Sequence, residues 1–193
     1  KKVMDCKMEK AKFAWFQDGK TNISYNCLDR HLAKKGAQTA LIFEPNDPKE
    51  KAQHISYTEL HARVSKMANV LKANGIEKGD RVCIYLPMIP ELAISLLACA
   101  RIGAVHSVVF AGFSSTALAS RIQDCTCKLI VTADGGFRGN KEIDLKIIVD
   151  EALLSCPSIT KSLVVKRTYS IINMLSGRDS YLENELQKVS DVC

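Results

Sequence analysis

The chain has 193 residues, of which 47% are hydrophobic and 25% are charged, a composition typical of a globular protein with a sizeable core. Its net charge is +6, but the basic residues are dispersed and no nucleic-acid-binding motif accompanies them, so we expect no nucleic-acid partner. The longest apolar run, Leu92–Ala100, is far shorter than the roughly 20 residues of a membrane-spanning helix, so we expect no membrane partner either.

The first 50 residues are predicted to form an irregular N-terminal extension with a first helix over 27–35, which ends at Gly36. Short strands over 40–43 and 54–57 are predicted to pair as a small hairpin. Ser56 and Glu59 then have the spacing of a capping box. The helix that begins there carries apolar side chains at three- and four-residue steps, which is typical of packing on one face.

From residue 80 onward, predicted strands alternate with predicted helices. The strands are expected over 80–86, 104–110, 128–132 and 162–166, and the helices over 90–103, 115–124 and 145–155. The second of these strands is apolar without alternation, which predicts a buried position. The alternation indicates an α/β fold, in which a predominantly parallel sheet carries helices on both faces. We expect an α/β subdomain over 51–168 after the extension over 1–50, and a tail over 169–193 with incomplete structure and little to bury against.

The eight cysteines include Cys83 and Cys99, which lie inside apolar segments. This placement favours free thiols in a reducing compartment over a disulfide framework. We therefore expect the cytoplasm, while the mitochondrial matrix and the nucleus stay open, since a leader could be missing from this chain. Cys125 and Cys127 have the wrong spacing for a usual zinc or redox pair, so no metal site is predicted.

Loops that leave the carboxyl ends of parallel strands are where open α/β sheets bind ligands. Three such loops are predicted, over 87–90, 111–114 and 133–141. The third places Arg138 and Lys141 beside glycines, an arrangement that suits phosphate groups. The alternative is that these are ordinary turn glycines and solvated cations. Asp134 and Asp150 have no evident partners and are expected in structural or solvated roles, and no catalytic residue is predicted.

Several segments together form a specific pattern over nearly the whole chain. They are Trp15–Phe16, Tyr25–His31, Ile55–Leu60, Gly79–Val82, Tyr85–Glu91, Ala98–Ala104, Val108–Ser114, Arg138–Lys141 and Gly177–Asp179. This pattern resembles the N-terminal portion of the AMP-forming acetyl-CoA synthetases, which belong to the adenylate-forming (acyl-CoA synthetase) superfamily. The resemblance implies a truncated N-terminal subdomain of the adenylate-forming enzyme fold.

Members of that family convert acetate and ATP to acetyl-AMP and pyrophosphate, and then exchange AMP for coenzyme A to give acetyl-CoA. The resemblance therefore implies acetate, coenzyme A and ATP with Mg²⁺ as small-molecule partners. It also implies that the loop around Arg138 holds the nucleotide end of coenzyme A and that the turn at Phe110 lines its adenine. The implied coenzyme A-binding residues are Phe110, Ala111, Gly112, Arg138, Gly139, Asn140 and Lys141. The ATP and Mg²⁺ sites are expected outside this chain.

The resemblance further predicts that the chain is a fragment that does not adenylate acetate alone. A propionyl- or other short-chain acyl-CoA synthetase remains an alternative within the enzyme class. A non-catalytic module that binds coenzyme A or a nucleotide is the alternative from another class. An exposed sheet edge or apolar face would also favour self-association.

Overall fold

A computed structural model describes residues 3–139 and 141–193 of the chain. The strands are β1 Met4–Lys7, β2 Lys12–Trp15, β3 Thr39–Phe43, β4 Gln53–Ser56, β5 Arg81–Tyr85, β6 Val105–Val108, β7 Leu129–Ala133, β8 Gly136–Arg138, β9 Lys141–Ile143, β10 Lys161–Val165 and β11 Asp179–Tyr181. The α-helices are α1 Ile23–Cys27, α2 Asp29–Lys35, α3 Tyr57–Ala73, α4 Pro90–Ile102, α5 Ser115–Cys125, α6 Leu145–Leu153 and α7 Leu182–Leu186.

Five strands form one parallel sheet in the order β11, β10, β7, β5 and β6. Three antiparallel hairpins accompany it, formed by β1 with β2, β3 with β4, and β8 with β9. The residues of β5 and β7 are almost all buried, because helices flank the sheet. The predicted α/β fold and the small hairpin near residues 40 and 54 are therefore confirmed.

The strand order contains a topological switch point between β5 and β7. From β5 the chain passes through α4 to β6 on one side, and from β6 it returns through α5 to β7 on the other side of β5. Because parallel crossovers are right-handed, this reversal puts α4 and α5 on opposite faces of the sheet. The packing agrees, since α3 contacts α4 whereas α5 contacts α6. Ligands of open α/β sheets bind outside the carboxyl ends of the strands at such a point.

The two longest helices begin where local chemistry predicts. The Ser56 hydroxyl accepts a hydrogen bond from the Glu59 N–H, and the Glu59 carboxylate accepts one from the Ser56 N–H, which is the predicted capping box at the start of α3. Helix α4 begins at Pro90, where the missing N–H costs little, and ends at Gly103 with a φ of 75°. The apolar face of α3 lies in the core through Leu60, Val64, Met67, Ala68 and Leu71.

The strand predicted to be buried over 104–110 lies at the edge of the sheet as β6. Val105 and Val108 are 52% and 48% exposed. An apolar run indicates which side chains a strand carries, but it does not indicate whether the strand has one neighbour or two. The prediction of a buried strand was therefore wrong.

The N-terminal extension is more regular than predicted. Within it, residues 4–7 and 12–15 form the β1–β2 hairpin. The helix predicted over 27–35 corresponds to α2, and a separate short helix, α1, precedes it. The two helices meet at Leu28, where the backbone has φ −121° and ψ −71°. The Leu28 side chain is buried in the core.

The tail after residue 169 was predicted to have little to bury against, and this was wrong. Strand β11 adds to the sheet as a parallel neighbour of β10, and Leu182 at the start of α7 lies in the core. The tail is held by ion pairs. The buried ammonium of Lys146 contacts the Asp179 carboxylate at 2.9 Å, and the Arg178 Nε contacts the same carboxylate at 2.6 Å.

Asp150 and Asp134 both have partners, so their description as lone acids was also wrong. The Asp150 carboxylate lies 2.7 Å from the Lys146 ammonium and is also contacted by Arg178, so it belongs to the network that holds the tail. Asp134 is buried and accepts hydrogen bonds from four backbone N–H groups. The i,i+4 spacing of Lys146 and Asp150 could have indicated their pairing. The contacts with Arg178 and with residues 167–169 could not be read from spacing, because those residues are distant along the chain.

Candidate functional site

A cavity of about 260 Å³ lies at the carboxyl edge of the parallel sheet. Each of four strands contributes a lining residue just beyond its last residue: Pro87 after β5, Ala111 after β6, Gly136 after β7 and Arg167 after β10. The cavity therefore opens at the switch point between β5 and β7, where ligands of this class of fold bind.

The turn after β6 forms one wall of the cavity and is fixed by a buried tyrosine. The Tyr85 hydroxyl donates to the Phe113 carbonyl at 2.8 Å and accepts from the Gly112 N–H at 3.1 Å. Burial raises the pKa of this phenol above its ordinary value of 10, which keeps it in the neutral form that can donate. The Gly112 amide is thus engaged by Tyr85, and the turn presents Phe110 and Ala111 to the cavity.

The β8–β9 hairpin forms the facing wall. Arg138 pairs with Lys141 across this hairpin, and its guanidinium lies over the Phe110 ring, 5.7 Å from the centroid. Gly112 lies beside the Arg138 guanidinium, since a Cβ built there would lie 3.9 Å from the Arg138 Nη2, an ordinary contact distance. Gly112 also has a φ of 113°, which L side chains rarely adopt. The hairpin and the turn are therefore in direct contact through an arginine and an aromatic ring.

The predicted coenzyme A-binding residues divide by position. Phe110, Ala111 and Arg138 line the cavity. Gly112 lies beside Arg138, behind the lining surface. Gly139, with a φ of 59°, stands at the tip of the hairpin, and the exposed Lys141 begins β9. Asn140 lies outside the described residues.

A second arginine in the cavity was missed at the sequence level. The Arg167 guanidinium lies 5.2 Å from the centroid of the Phe137 ring and 5.8 Å from that of the Phe43 ring. Its Nη1 also donates to the exposed Glu50 carboxylate at 3.3 Å. The rule that found the other loops could have found Arg167, because it follows the carboxyl end of a predicted strand. Phe43 gave no comparable signal.

Asp134 fixes the backbone at Arg167. Its Oδ1 accepts from the Arg167 and Thr168 N–H groups at 2.7 and 3.0 Å, and its Oδ2 accepts from the Tyr169 N–H at 2.8 Å. Tyr169 has a φ of 59°, so the chain turns sharply around this carboxylate. Asp134 immediately follows β7 and therefore joins the exits of β7 and β10 below the cavity.

The cavity combines flat apolar surfaces with permanent positive charge. Phe43, Phe110 and Phe137 supply aromatic rings, and Arg138 and Arg167 supply two guanidinium groups. Guanidinium groups bind phosphate through paired hydrogen bonds, and aromatic rings stack on flat ligands. The arrangement is suited to a ligand that has both a planar ring and phosphate groups.

The described residues contain no evident metal site, membrane-spanning helix or disulfide bond. Among residues 3–139 and 141–193, no three His, Cys, Asp or Glu side chains are grouped so that they could hold a metal ion. In the same part of the chain, no helix is both long and apolar enough to cross a membrane. The eight cysteines are free thiols, and Cys83 and Cys99 are buried as their apolar neighbours indicated.

Comparison with known proteins places the whole chain in one family. Residues 28–189 match the sequence model of the AMP-binding enzymes, and residues 1–27 match that of the acetyl-coenzyme A synthetase N-terminus. An acetyl-coenzyme A synthetase of Rhodobacter capsulatus is 54% identical over 192 residues, which are 100% of this chain and 29% of that protein. Acetyl-coenzyme A synthetase 2 of Pseudomonas putida is 50% identical over 191 residues, which are 99% of this chain and 30% of that protein.

The chain thus spans about 30% of the length of the curated relatives that it matches. Its relation to them holds from end to end, because the two family models together account for residues 1–189. The resemblance stated from the sequence is confirmed. The chain belongs to the family of AMP-binding enzymes, and the two relatives described above are acetyl-coenzyme A synthetases.

Proposed function

We propose that this chain is the N-terminal portion of an AMP-forming acetyl-CoA synthetase and that its cavity binds the nucleotide end of coenzyme A. The observation that carries the proposal is the contact between Arg138 and Phe110 at the carboxyl edge of the sheet. It brings a phosphate-binding cation from one wall of the cavity into contact with a flat ring from the facing wall. The identity of 50–54% to acetyl-coenzyme A synthetases supports the choice of ligand.

Binding of the nucleotide end would use both parts of this contact. The adenine ring would lie on the aromatic surface at Phe110, and a phosphate group would accept hydrogen bonds from Arg138. In the structure, the Arg138 guanidinium lies over the Phe110 ring. The ligand therefore meets a cation whose position is set by packing, which reduces the entropy lost when the complex forms.

The complete reaction would combine acetate, ATP and coenzyme A to give acetyl-CoA, AMP and pyrophosphate. We place the sites for acetate and for ATP with Mg²⁺ outside this chain, and we expect the 193-residue chain to bind coenzyme A without adenylating acetate. Pyrophosphate release from ATP and acetate by the purified chain would contradict this division. The cytoplasm is the proposed compartment, since it suits a protein with free thiols.

Replacing Arg138 with alanine is expected to weaken coenzyme A binding about 10-fold or more, because a hydrogen bond to a charged group contributes roughly 1.5–3 kcal/mol. Isothermal titration calorimetry of the chain with coenzyme A measures the effect. Arg121→Ala is the matched control, since the Arg121 guanidinium also lies over a phenylalanine, 5.2 Å from the centroid of the Phe113 ring. Arg121 does not line the cavity, and its variant should bind within about two-fold of the unmodified chain.

If Arg138→Ala and Arg121→Ala weaken coenzyme A binding equally, the effect would come from losing any positive charge and would not be specific to Arg138. Absence of coenzyme A binding by the unmodified chain would reject the proposed site altogether. The alternative of a non-catalytic module makes the same binding prediction, and it differs only in the activity of the longer protein. Full-length activity with acetate would exclude that alternative.

A further inference from the structure

We propose that Arg167 is a second phosphate-binding residue of the cavity and that it contacts a different phosphate group of coenzyme A from the one that Arg138 contacts. The inference rests on the proposed function, because it assumes that coenzyme A is the ligand. It assigns a role in ligand recognition to a residue at the exit of β10, on the opposite side of the switch point from Phe110.

The two arginines lie in different parts of the cavity. Phe137 and Arg138 are consecutive residues of β8, so their side chains point to opposite sides of the strand. Arg138 lies on Phe110, at the β6 end of the cavity, whereas Arg167 lies on Phe137, at the β10 end. Strands β6 and β10 are separated by three strand spacings in the sheet, which is about 14 Å. The two guanidinium groups therefore come from elements near opposite ends of the cavity, and we assign them to two different phosphate groups.

The Arg167 guanidinium is held in place and still has donors to offer. Its main chain is fixed by the Asp134 carboxylate, and its side chain is placed between Phe43 and Phe137. A guanidinium has five N–H donors, and the contact with Glu50 uses Nη1 alone. Because Glu50 is exposed, its pairing with Arg167 is weakened by water and ions and can yield to a phosphate dianion.

Coenzyme A offers two phosphate positions for two cations. Its ribose carries a 3′-phosphate and, at the 5′ position, a pyrophosphate, and the adenine lies beside both. A planar ring on the aromatic surface would direct these two groups away from each other along the carboxyl edge of the sheet. An arginine toward each end of the cavity matches that distribution of charge.

The test is calorimetric titration of Arg167→Gln, Arg138→Gln and Arg167→Lys with coenzyme A and with dephospho-coenzyme A, which lacks only the 3′-phosphate. We expect each glutamine variant to bind coenzyme A about 10-fold more weakly or worse, and we expect Arg167→Lys to recover part of the loss because it keeps the charge. With dephospho-coenzyme A, one of the two glutamine substitutions should lose its effect while the other keeps it.

Adenosine, followed by NMR titration, separates ligand binding from a structural role. It has the ring but no phosphate, so Arg167→Gln should leave its affinity unchanged. Equal loss of affinity for adenosine and for coenzyme A would show that Arg167 only supports the wall, and this would overturn the proposal. So would an Arg167→Gln variant that binds coenzyme A normally, or two substitutions that both keep their full effect with dephospho-coenzyme A. If the unmodified chain fails to bind coenzyme A, the proposed function itself has failed.

Discussion

Replacing Asp179 with alanine is expected to lower the free energy of unfolding by about 3–5 kcal/mol, because it leaves a surplus positive charge in a buried network. The Asp179 side chain is fully buried and contacts both Lys146 and Arg178. Without it, Asp150 is the one carboxylate among the described residues that still pairs with these two cations. Urea unfolding followed by circular dichroism measures the loss, with Asp124→Ala as the control at an exposed acid.

A second variant keeps the prediction testable if Asp179→Ala does not fold. In Lys146→Met combined with Asp179→Asn, one charge of each sign is removed and the remaining Arg178 and Asp150 are balanced. This double variant should be less destabilised than the sum of its single variants, because neither charge is left alone. Simple additivity of the two changes, or a loss from Asp179→Ala no larger than that from Asp124→Ala, would show that the network does not hold the tail.

The same network predicts how stability changes in acid. Burial alone raises the pKa of Asp179, but hydrogen bonds from Arg178 and Lys146 outweigh burial and leave the pKa below its ordinary value of 3.8. The folded chain therefore holds this proton less tightly than the unfolded chain does. The contribution of Asp179 is fully present above about pH 4 and is lost as the pH falls below that value. The difference in unfolding free energy between the unmodified chain and Asp179→Ala should narrow over the same range.

Replacing Asp134 with alanine is expected to cost about 3 kcal/mol of unfolding free energy and to weaken coenzyme A binding. The change removes the acceptor for the N–H groups of Arg167, Thr168 and Tyr169, and a buried donor left without a partner costs about 1–3 kcal/mol. The stability of Asp134→Asn should lie between those of the unmodified chain and Asp134→Ala, since the amide oxygen of asparagine can still accept a hydrogen bond.

Urea unfolding gives the global loss, and hydrogen exchange gives the local one. Exchange of the three amides should become faster in Asp134→Ala than in the control Asp124→Ala, whose acid is exposed. Unchanged exchange at these amides, with unfolding free energy within about 0.5 kcal/mol of the control, would show that Asp134 does not organise the β10 exit.

Much of the fold could be predicted from the sequence where short-range chemistry decides the structure. Ser56 with Glu59 and Pro90 with Gly103 begin or end helices through groups within a few residues, so the bounds of α3 and α4 were close to correct. The errors came from long-range neighbours. The position of β6 at the edge depends on the strand order, and the tail depends on the contact of Asp179 with Lys146.

In the candidate site, too, some residues could be predicted from the sequence and others depend on long-range contacts. Phe110 and Arg138 were proposed from a family resemblance, and folding places the one over the other. Arg167 and Phe43 are far apart in the sequence, and neither belongs to a glycine-rich segment, so no local pattern linked them. Their contact exists because the β3–β4 hairpin reaches the carboxyl edge of the sheet at the exit of β10. Predicting that Arg167 and Phe43 form one wall of the cavity requires knowing how the strands are arranged in the fold.

The central claim is that coenzyme A binds at the switch point of the parallel sheet, and a proton–nitrogen NMR correlation spectrum tests it most directly. When the 193-residue chain is titrated with coenzyme A, the amide signals of Phe110, Ala111, Phe137, Arg138 and Arg167 should shift progressively and saturate together, while those of the β1–β2 hairpin stay in place. A spectrum that does not change, or shifts confined to the groove between α5 and α6, would contradict the account.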